Sequence, residues 1–343
     1  MAGQVPAGVA AAGAGMAFGV SALVTAGWIL WARRRNIVDA PGQRRLHVHA
    51  TPRGGGVGIA LVALAYLGFA VYGYFDFGGN DRESAAVVLG LLLAVATGLI
   101  DDLRPGTPTA VKFGGQILAG AAIAWALPWP GLDAPWGQTI AFAWVLVAIN
   151  FWNFMDGANG MVALQSVVVA LALAVLLDST HAVIALALAA ACLGFLPFNL
   201  PKARVFMGDT GSHVLGAMVA ILSLWALRSG KASPGQVLIL ISAFLIDAGL
   251  TLAKRILLGR RFWRAHREHL YQWAVRRGHS HARVCLAYAA WAILSASVAL
   301  GWGARGPTEA VVAALAVGLA GATTWVVLRR HWLKRETRMD AST

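Results

Sequence analysis

Residues 139–177 read TIAFAWVLVAINFWNFMDGANGMVALQSVVVALALAVLL. Two apolar runs, 139–150 and 161–177, flank a polar stretch that carries Asn150, Asn153, Asp156 and Asn159 together with Gly157 and Gly160. Asp156 is the only ionisable acid or base in the whole segment. If the first run continues as a helix, the spacing of three places Asn150, Asn153 and Asp156 along one face. A polar stripe leaving an apolar helix is costly unless it lines a wet site. The glycines permit a sharp turn and close approach of a ligand to backbone. An Asx-rich turn between two helices is the plainer reading, but a turn does not ask for Asn150 and Asn153 inside the preceding helix. The pattern is that of a membrane hairpin with its chemistry at one face.

The same pattern extends along the chain. Apolar segments lie near 8–32, 55–75, 85–100, 113–127, 139–150, 161–177, 182–198, 211–227, 235–253, 283–303 and 309–328. A spanning helix needs about 20 apolar residues, so the ends of the shorter segments must extend into the polar motifs between them. Hydrophobic residues make up 58% of the 343 and charged residues 13%, with a mean hydropathy of +0.66. Soluble proteins carry roughly 25% charged residues, and disorder needs low hydrophobicity, so both classes are excluded. The expected fold class is all-α: a polytopic integral membrane protein of about 11 transmembrane helices, forming a single membrane-embedded domain over residues 1–343. The first segment lacks a basic leader and is long enough to span, so it reads as a retained helix.

Where the charge sits gives the orientation. The formal net charge is +13, from 28 Lys+Arg against 15 Asp+Glu. With the N-terminus outside and the C-terminus cytoplasmic, 23 of the 28 basic residues fall in the inside loops 32–54, 101–112, 151–160, 199–210 and 254–282 and in the tail. The outside loops hold four, Arg82, Arg228, Lys231 and Arg305. That asymmetry is a positive-inside signal, and it makes nucleic-acid binding an unnecessary explanation of the charge. Cys192 and Cys285 lie in apolar runs and read as packing residues.

The unusual residues share the inside face. Asp101 and Asp102 follow the third segment, with Lys112 beyond them. Adjacent carboxylates persist at a membrane edge when a cation or a proton-transfer task holds them; a solvated flank or a helix cap is the alternative. Residues 206–213 read FMGDTGSH, placing Asp209 at the start of the eighth segment, as an N-cap, as a neighbour of bound phosphate, or as both. The loop 254–282 contains His266-Arg-Glu-His269-Leu-Tyr-Gln among many arginines. A basic amphipathic surface helix accounts for the arginines, and two histidines are thin support for zinc. His47, His49 and Arg53-Gly-Gly-Gly precede the second segment, where Arg53 and the glycines suit phosphate contacts or a flexible entry to the helix. Carboxylates and amides suit Mg²⁺, and the basic groups suit phosphates.

In this order and combination the motifs resemble those of the polyprenyl-phosphate N-acetylhexosamine-1-phosphate transferases over nearly the whole chain. They are His47 to Gly55, Asp101-Asp102, Asn150 to Gly160, Phe206 to Ser212, and the basic histidine loop. The resemblance implies transfer of HexNAc-1-phosphate from a UDP-HexNAc donor to undecaprenyl phosphate, with UMP released at the cytoplasmic face of a bacterial inner membrane. It implies Asp101 as a base supported by Asp102, and Asp209 and Asn153 as ligands of Mg²⁺, with Mn²⁺ as a substitute. It further implies substrate contacts from Lys112, Asn150, Asp156, Asn159, Arg53, His266 and His269, and it is compatible with a homodimer. The His-Arg-Glu-His form is similar to the branch that initiates O-antigen-like glycans, and Asn159 stands where many members have Asp. Direct transfer and a covalent aspartyl-phosphate route both remain open. The rival reading from another class is an ion-coupled transporter using Asp247 and Asp178; it is disfavoured because the polar groups gather on one face.

Overall fold

The computed structural model describes residues 5–39, 50–71, 81–261 and 266–340. His47, His49 and the start of the first motif lie outside the described residues. Among the described residues the regular structure is helical, apart from a two-residue antiparallel pair, β1 (Val38–Asp39) and β2 (Thr51–Pro52). The described parts of the eleven apolar segments are mainly helical. Seven helices among the described residues are long and apolar enough to cross a membrane, and an eighth is added if one bent pair counts as a single span. The protein is therefore an all-α, multi-pass membrane protein.

The chain divides into two compact units, residues 1–232 and 233–343. The first contains α1 (Ala7–Arg34), α2 (Val57–Val71), α3 (Asp81–Leu103), α4 (Thr109–Ala126), α5 (Trp136–Phe154), α6 (Met161–Leu176), α7 (Ser179–Asn199) and α8 (Gly208–Arg228). Helix α8 is its centre, with every residue from Thr210 to Leu227 buried. Between apolar helices in lipid there is little hydrophobic drive, so small residues that let backbones approach contribute most to packing. Gly211 of α8 meets Gly56, Gly98 of α3 meets the backbone of Asp209, and Gly216 meets the backbone of Ile149. A Cβ built on Gly56, Gly98 or Gly216 would lie 2.2–2.5 Å from the facing backbone.

Helix ends extend into the motifs, as the short apolar runs require. Asp101 and Asp102 form the last turn of α3 instead of following it, and α5 runs through Asn150 and Asn153. One expectation fails here. Helix α5 stops at Phe154, so Asp156 lies in the turn beyond it and does not continue the helical face. Gly160, at φ +74°, then starts α6 (Met161–Leu176). Nor is the glycine triplet a flexible entry. Gly55 and Gly56 donate backbone hydrogen bonds to Phe206 and Met207 at 2.8 and 2.9 Å, and Gly55 packs against Val205 and Phe195.

The second unit contains α9 (Pro234–Leu240), α10 (Ser242–Leu257), α11 (Leu270–Arg276), α12 (His281–Gly301) and α13 (Pro307–Asp340). The apolar segment 235–253 is not one straight span: α9 and α10 meet at 81°. A serine stands at the break. The Ser242 hydroxyl accepts from the Trp291 indole at 3.0 Å and pairs with Ser295 at 3.1 Å, both on α12. Hydropathy is blind to such a break because Ile241 and Ser242 sit within an otherwise apolar run.

Candidate active site

The site is built at the start of α8. The first turn of a helix has backbone N–H groups without intrahelical partners, and here a neighbouring helix caps them. Asp102, fully buried at the end of α3, accepts from the backbone N–H groups of Asp209 at 3.1 Å and Thr210 at 3.0 Å, and from the Thr210 hydroxyl at 2.7 Å. Gly208 makes this possible. It adopts φ +76°, and a Cβ there would lie 2.5 Å from the Asp102 carboxylate. The N-cap role considered for Asp209 itself thus belongs to Asp102. Asp209 is left with its side chain free to face the other acidic groups.

Four elements bring charge to that point. Arg53, just after β2, reaches both members of the acidic pair, at 3.0 Å from Asp101 and 3.1 Å from Asp102. The Lys112 ammonium, on α4, lies between Asp101 Oδ1 at 3.4 Å and Asp209 Oδ2 at 3.1 Å. Asn153, on α5, donates to Asp209 Oδ1 and to the Ser212 hydroxyl, both at 3.0 Å. Asp156 lies close enough for Asp209 and Asp102 to act on it. Burial first, then those two carboxylates, push its pKa well above the usual carboxylate range, against a contact with the Gly208 backbone. Four carboxylates therefore face two basic side chains. Even with Asp156 protonated, the balance is negative.

A second polar layer lies one helical turn deeper. Asn150 donates to Gln116 Oε1 at 2.9 Å and to the Leu146 carbonyl at 2.8 Å. The Gln116 amide meets His213 Nε2 at 3.1 Å, and His213 Nε2 lies 3.9 Å from Asp209. Asn150 thus has its amide on this layer rather than on Asp209. Gln116 and His213 escaped the sequence reading, as did Thr210 and Ser212 as partners of Asp102 and Asn153. The signal was available in the spacing: Gln116 is four residues after Lys112, His213 four after Asp209, and Asn150 three before Asn153.

Asn159 lies in the turn, where its amide donates to the Pro201 carbonyl at 3.2 Å. Beside it, Asn199 accepts from the Gly160 N–H and donates to the Val205 carbonyl, tying the 155–160 turn to the 200–207 loop. His266 and His269 belong to the second unit. Their rings stand 4.9 Å apart, and His269 is buried beside Tyr271. Burial, then His269 and Arg255, lower the pKa of His266 to about 4. The rival proton path finds its two acids committed to local bonds. Asp178 caps α7 through the His181 N–H at 2.9 Å and holds the His181 ring at 2.6 Å. Asp247 accepts hydrogen bonds from three other helices of the second unit.

The donor chemistry fits a hard divalent cation. Asp101 and Asp209 converge on a single position, filled here by the Lys112 ammonium. Among the described residues no group of three His, Cys, Asp or Glu side chains is gathered for a metal. Mg²⁺ does not need one, because it keeps waters and takes one or two carboxylates together with substrate phosphates.

The family model "Glycosyl transferase family 4" matches residues 84–227, a stretch that includes Asp101, Asp102, Lys112, Asn153 and Asp209. The decaprenyl-phosphate N-acetylglucosaminephosphotransferase of Mycobacterium leprae is 32% identical over 304 residues, covering 76% of this chain and 75% of its own. The probable undecaprenyl-phosphate N-acetylglucosaminyl 1-phosphate transferase of Bacillus subtilis is 28% identical, covering 71% of each. A phospho-N-acetylmuramoyl-pentapeptide-transferase, from Moorella thermoacetica, is 36% identical over 231 residues, covering 59% of this chain and 71% of its own. The chain belongs to glycosyl transferase family 4, the superfamily of polyprenyl-phosphate N-acetylhexosamine-1-phosphate transferases.

Proposed function

We propose that the protein transfers HexNAc-1-phosphate from a UDP-HexNAc to undecaprenyl phosphate, giving the lipid diphosphate sugar and UMP, at the cytoplasmic face of a bacterial inner membrane. The observation that carries this reading is the convergence of Asp101 and Asp209, from two different helices, on the Lys112 ammonium. The names of the relatives favour N-acetylglucosamine as the sugar and a polyprenyl phosphate as the acceptor. The His-Arg-Glu-His loop favours an O-antigen-like product over peptidoglycan.

In the proposed reaction an oxygen of the lipid phosphate attacks the β-phosphorus of the donor. The bond from that phosphorus to the bridging oxygen breaks, and UMP leaves with the electron pair. Such a transfer asks for positioning and charge neutralisation more than for covalent help. An anionic diphosphate cannot approach a net acidic site unless a cation offsets the carboxylates. Mg²⁺, when bound, would supply that charge and act as a Lewis acid on the phosphate oxygens. Asp209, with Asn153 and Asp101 beside it, would hold the ion. Lys112 would then turn its ammonium toward phosphate, stabilising the charge that develops in transfer. Asp101 faces the same position and is the group placed to accept a proton from the lipid phosphate. That phosphate is already largely dianionic at pH 7, so orienting it is the larger part of the task. Arg53 holds the acidic pair in place.

The test is a donor panel. Purified protein with Mg²⁺, undecaprenyl phosphate and each of several UDP-HexNAc sugars should release UMP with at least one donor, and only when the lipid is present. Absence of UMP with every donor would defeat the proposal.

A further inference from the structure

The histidine loop of the second unit is held between two carboxylates. The first is Asp247 on α10, only 2% exposed. It accepts from the backbone N–H groups of Leu270 at 2.7 Å and Tyr271 at 3.3 Å, the first two residues of α11. It also accepts from the Tyr288 hydroxyl of α12 at 2.6 Å, the Trp325 indole of α13 at 3.1 Å and the Thr251 hydroxyl at 3.4 Å. The second is Glu268, inside the loop itself. Arg255, Arg260 and Arg329 all reach its carboxylate, Arg260 at 3.2 Å and Arg329 at 3.5 Å. Arg329 also donates to the Glu268 carbonyl at 2.9 Å.

His269 lies between these anchors, and His266 stands two residues before Glu268. A short polar loop at a membrane edge has many conformations open to it, and one geometry persists only where its backbone groups find fixed partners. Asp247 supplies such partners from three directions, since the groups that share its carboxylate come from α11, α12 and α13. Removing it would leave the N–H groups of α11 and three side-chain donors without this partner, which costs more than a surface hydrogen bond. Glu268 is occupied by guanidinium groups, which explains the glutamate between the two histidines without any metal.

We infer that Asp247 is a positioning residue: through the first turn of α11 it fixes the geometry of the His266–His269 loop. Its consequence for donor binding rests on the proposed transferase function and on the substrate contacts of His266 and His269 that the family resemblance implies. The loop's chemistry suits that partner. Arg255, Arg260 and Arg329 outnumber the one carboxylate they share, leaving positive charge for an anionic ligand.

Two readouts keep the inference separate from the reading it rests on. UMP release by the unaltered protein tests the reading alone. In Asp247→Asn, which keeps the shape and loses the charge, the KM for UDP-HexNAc should rise about tenfold, the equivalent of one lost charged hydrogen bond. The KM for the lipid should stay within about twofold on the same scale. Amide exchange at Leu270 and Tyr271 should quicken in Asp247→Asn and remain slow in Tyr288→Phe, which removes a bond not made by the loop. An unchanged donor KM in an active Asp247→Asn protein, a lipid KM that rises instead, or unchanged amide protection would each overturn the inference. Should Asp247→Ala fail to fold, the Asn variant carries the test.

Discussion

Asp101 and Asp102 are adjacent and chemically identical, yet the fold gives them different work. Asp102 is sealed under α8 and caps its backbone; Asp101, also buried, turns its carboxylate toward Lys112. Asp102→Ala should therefore lower stability by about 3 kcal/mol or more, because it leaves the N–H groups of Asp209 and Thr210 without their capping partner and removes one of the two carboxylates that Arg53 holds. Asp101→Asn should abolish most UMP release while moving the melting temperature little. Thermal unfolding in detergent beside the activity assay checks both. The pH dependence of the histidine loop follows from the lowered pKa of His266. Burial, His269, Arg255 and Arg329 disfavour its protonated form, and Glu268 alone opposes them. The unfolded chain takes up a proton near the ordinary value of 6.5, the folded loop only at about 4. Stability is therefore retained above pH 6.5 and lost as pH falls between those values. Glu268 acts in the same direction: burial would raise its pKa, but Arg255 and Arg260 hold it below the usual range. His266→Gln should flatten the acid side of the loop's amide-exchange profile; an unaltered profile would remove His266 as its source.

At the scale of elements, the helices were legible because each apolar run is long and bounded by polar motifs. The acidic pair, Lys112 and Asp209 stand out because ionisable groups are rare in this chain, and Asn153 because it is an amide inside an apolar helix. What the sequence hid is contact between elements. Nothing in the order of residues says that the cap of α8 comes from α3, or that Gly208 must be glycine because a carboxylate lies against it. The 81° turn between α9 and α10 has partners in Ser295 and Trp291, which bond to Ser242 at the break and which hydropathy does not see. The glycine contacts carry a prediction of their own. A methyl on Gly98 would meet the carbonyl of Asp209 at 2.5 Å, and backbone at a helix start cannot move aside cheaply. Gly98→Ala should displace Asp209 and cut kcat at least tenfold, while Gly114→Ala, which meets nothing within 4 Å, should be silent. Equal activity of the two variants would show that the α3–α8 contact does not set the site.

At the scale of the whole molecule, the charge map and the proposed chemistry make one joint claim, that the basic loops and the acidic cluster face the cytoplasm. Cysteine labelling checks it in intact cells, because Cys192 and Cys285 are buried and give little background. A cysteine at Asp133 should react with a membrane-impermeant reagent from outside, and one at Thr107 only after the membrane is opened. The reverse pattern would invert the topology. The central claim, phosphosugar transfer to a lipid phosphate, is tested most directly with UDP-HexNAc labelled in the β-phosphate. The label should appear in the lipid product, with unlabelled UMP released, and Asp209→Asn should abolish both. Label retained in released UDP would mean transfer of the sugar alone and would contradict the account, as would failure to consume the donor in the presence of lipid phosphate and Mg²⁺.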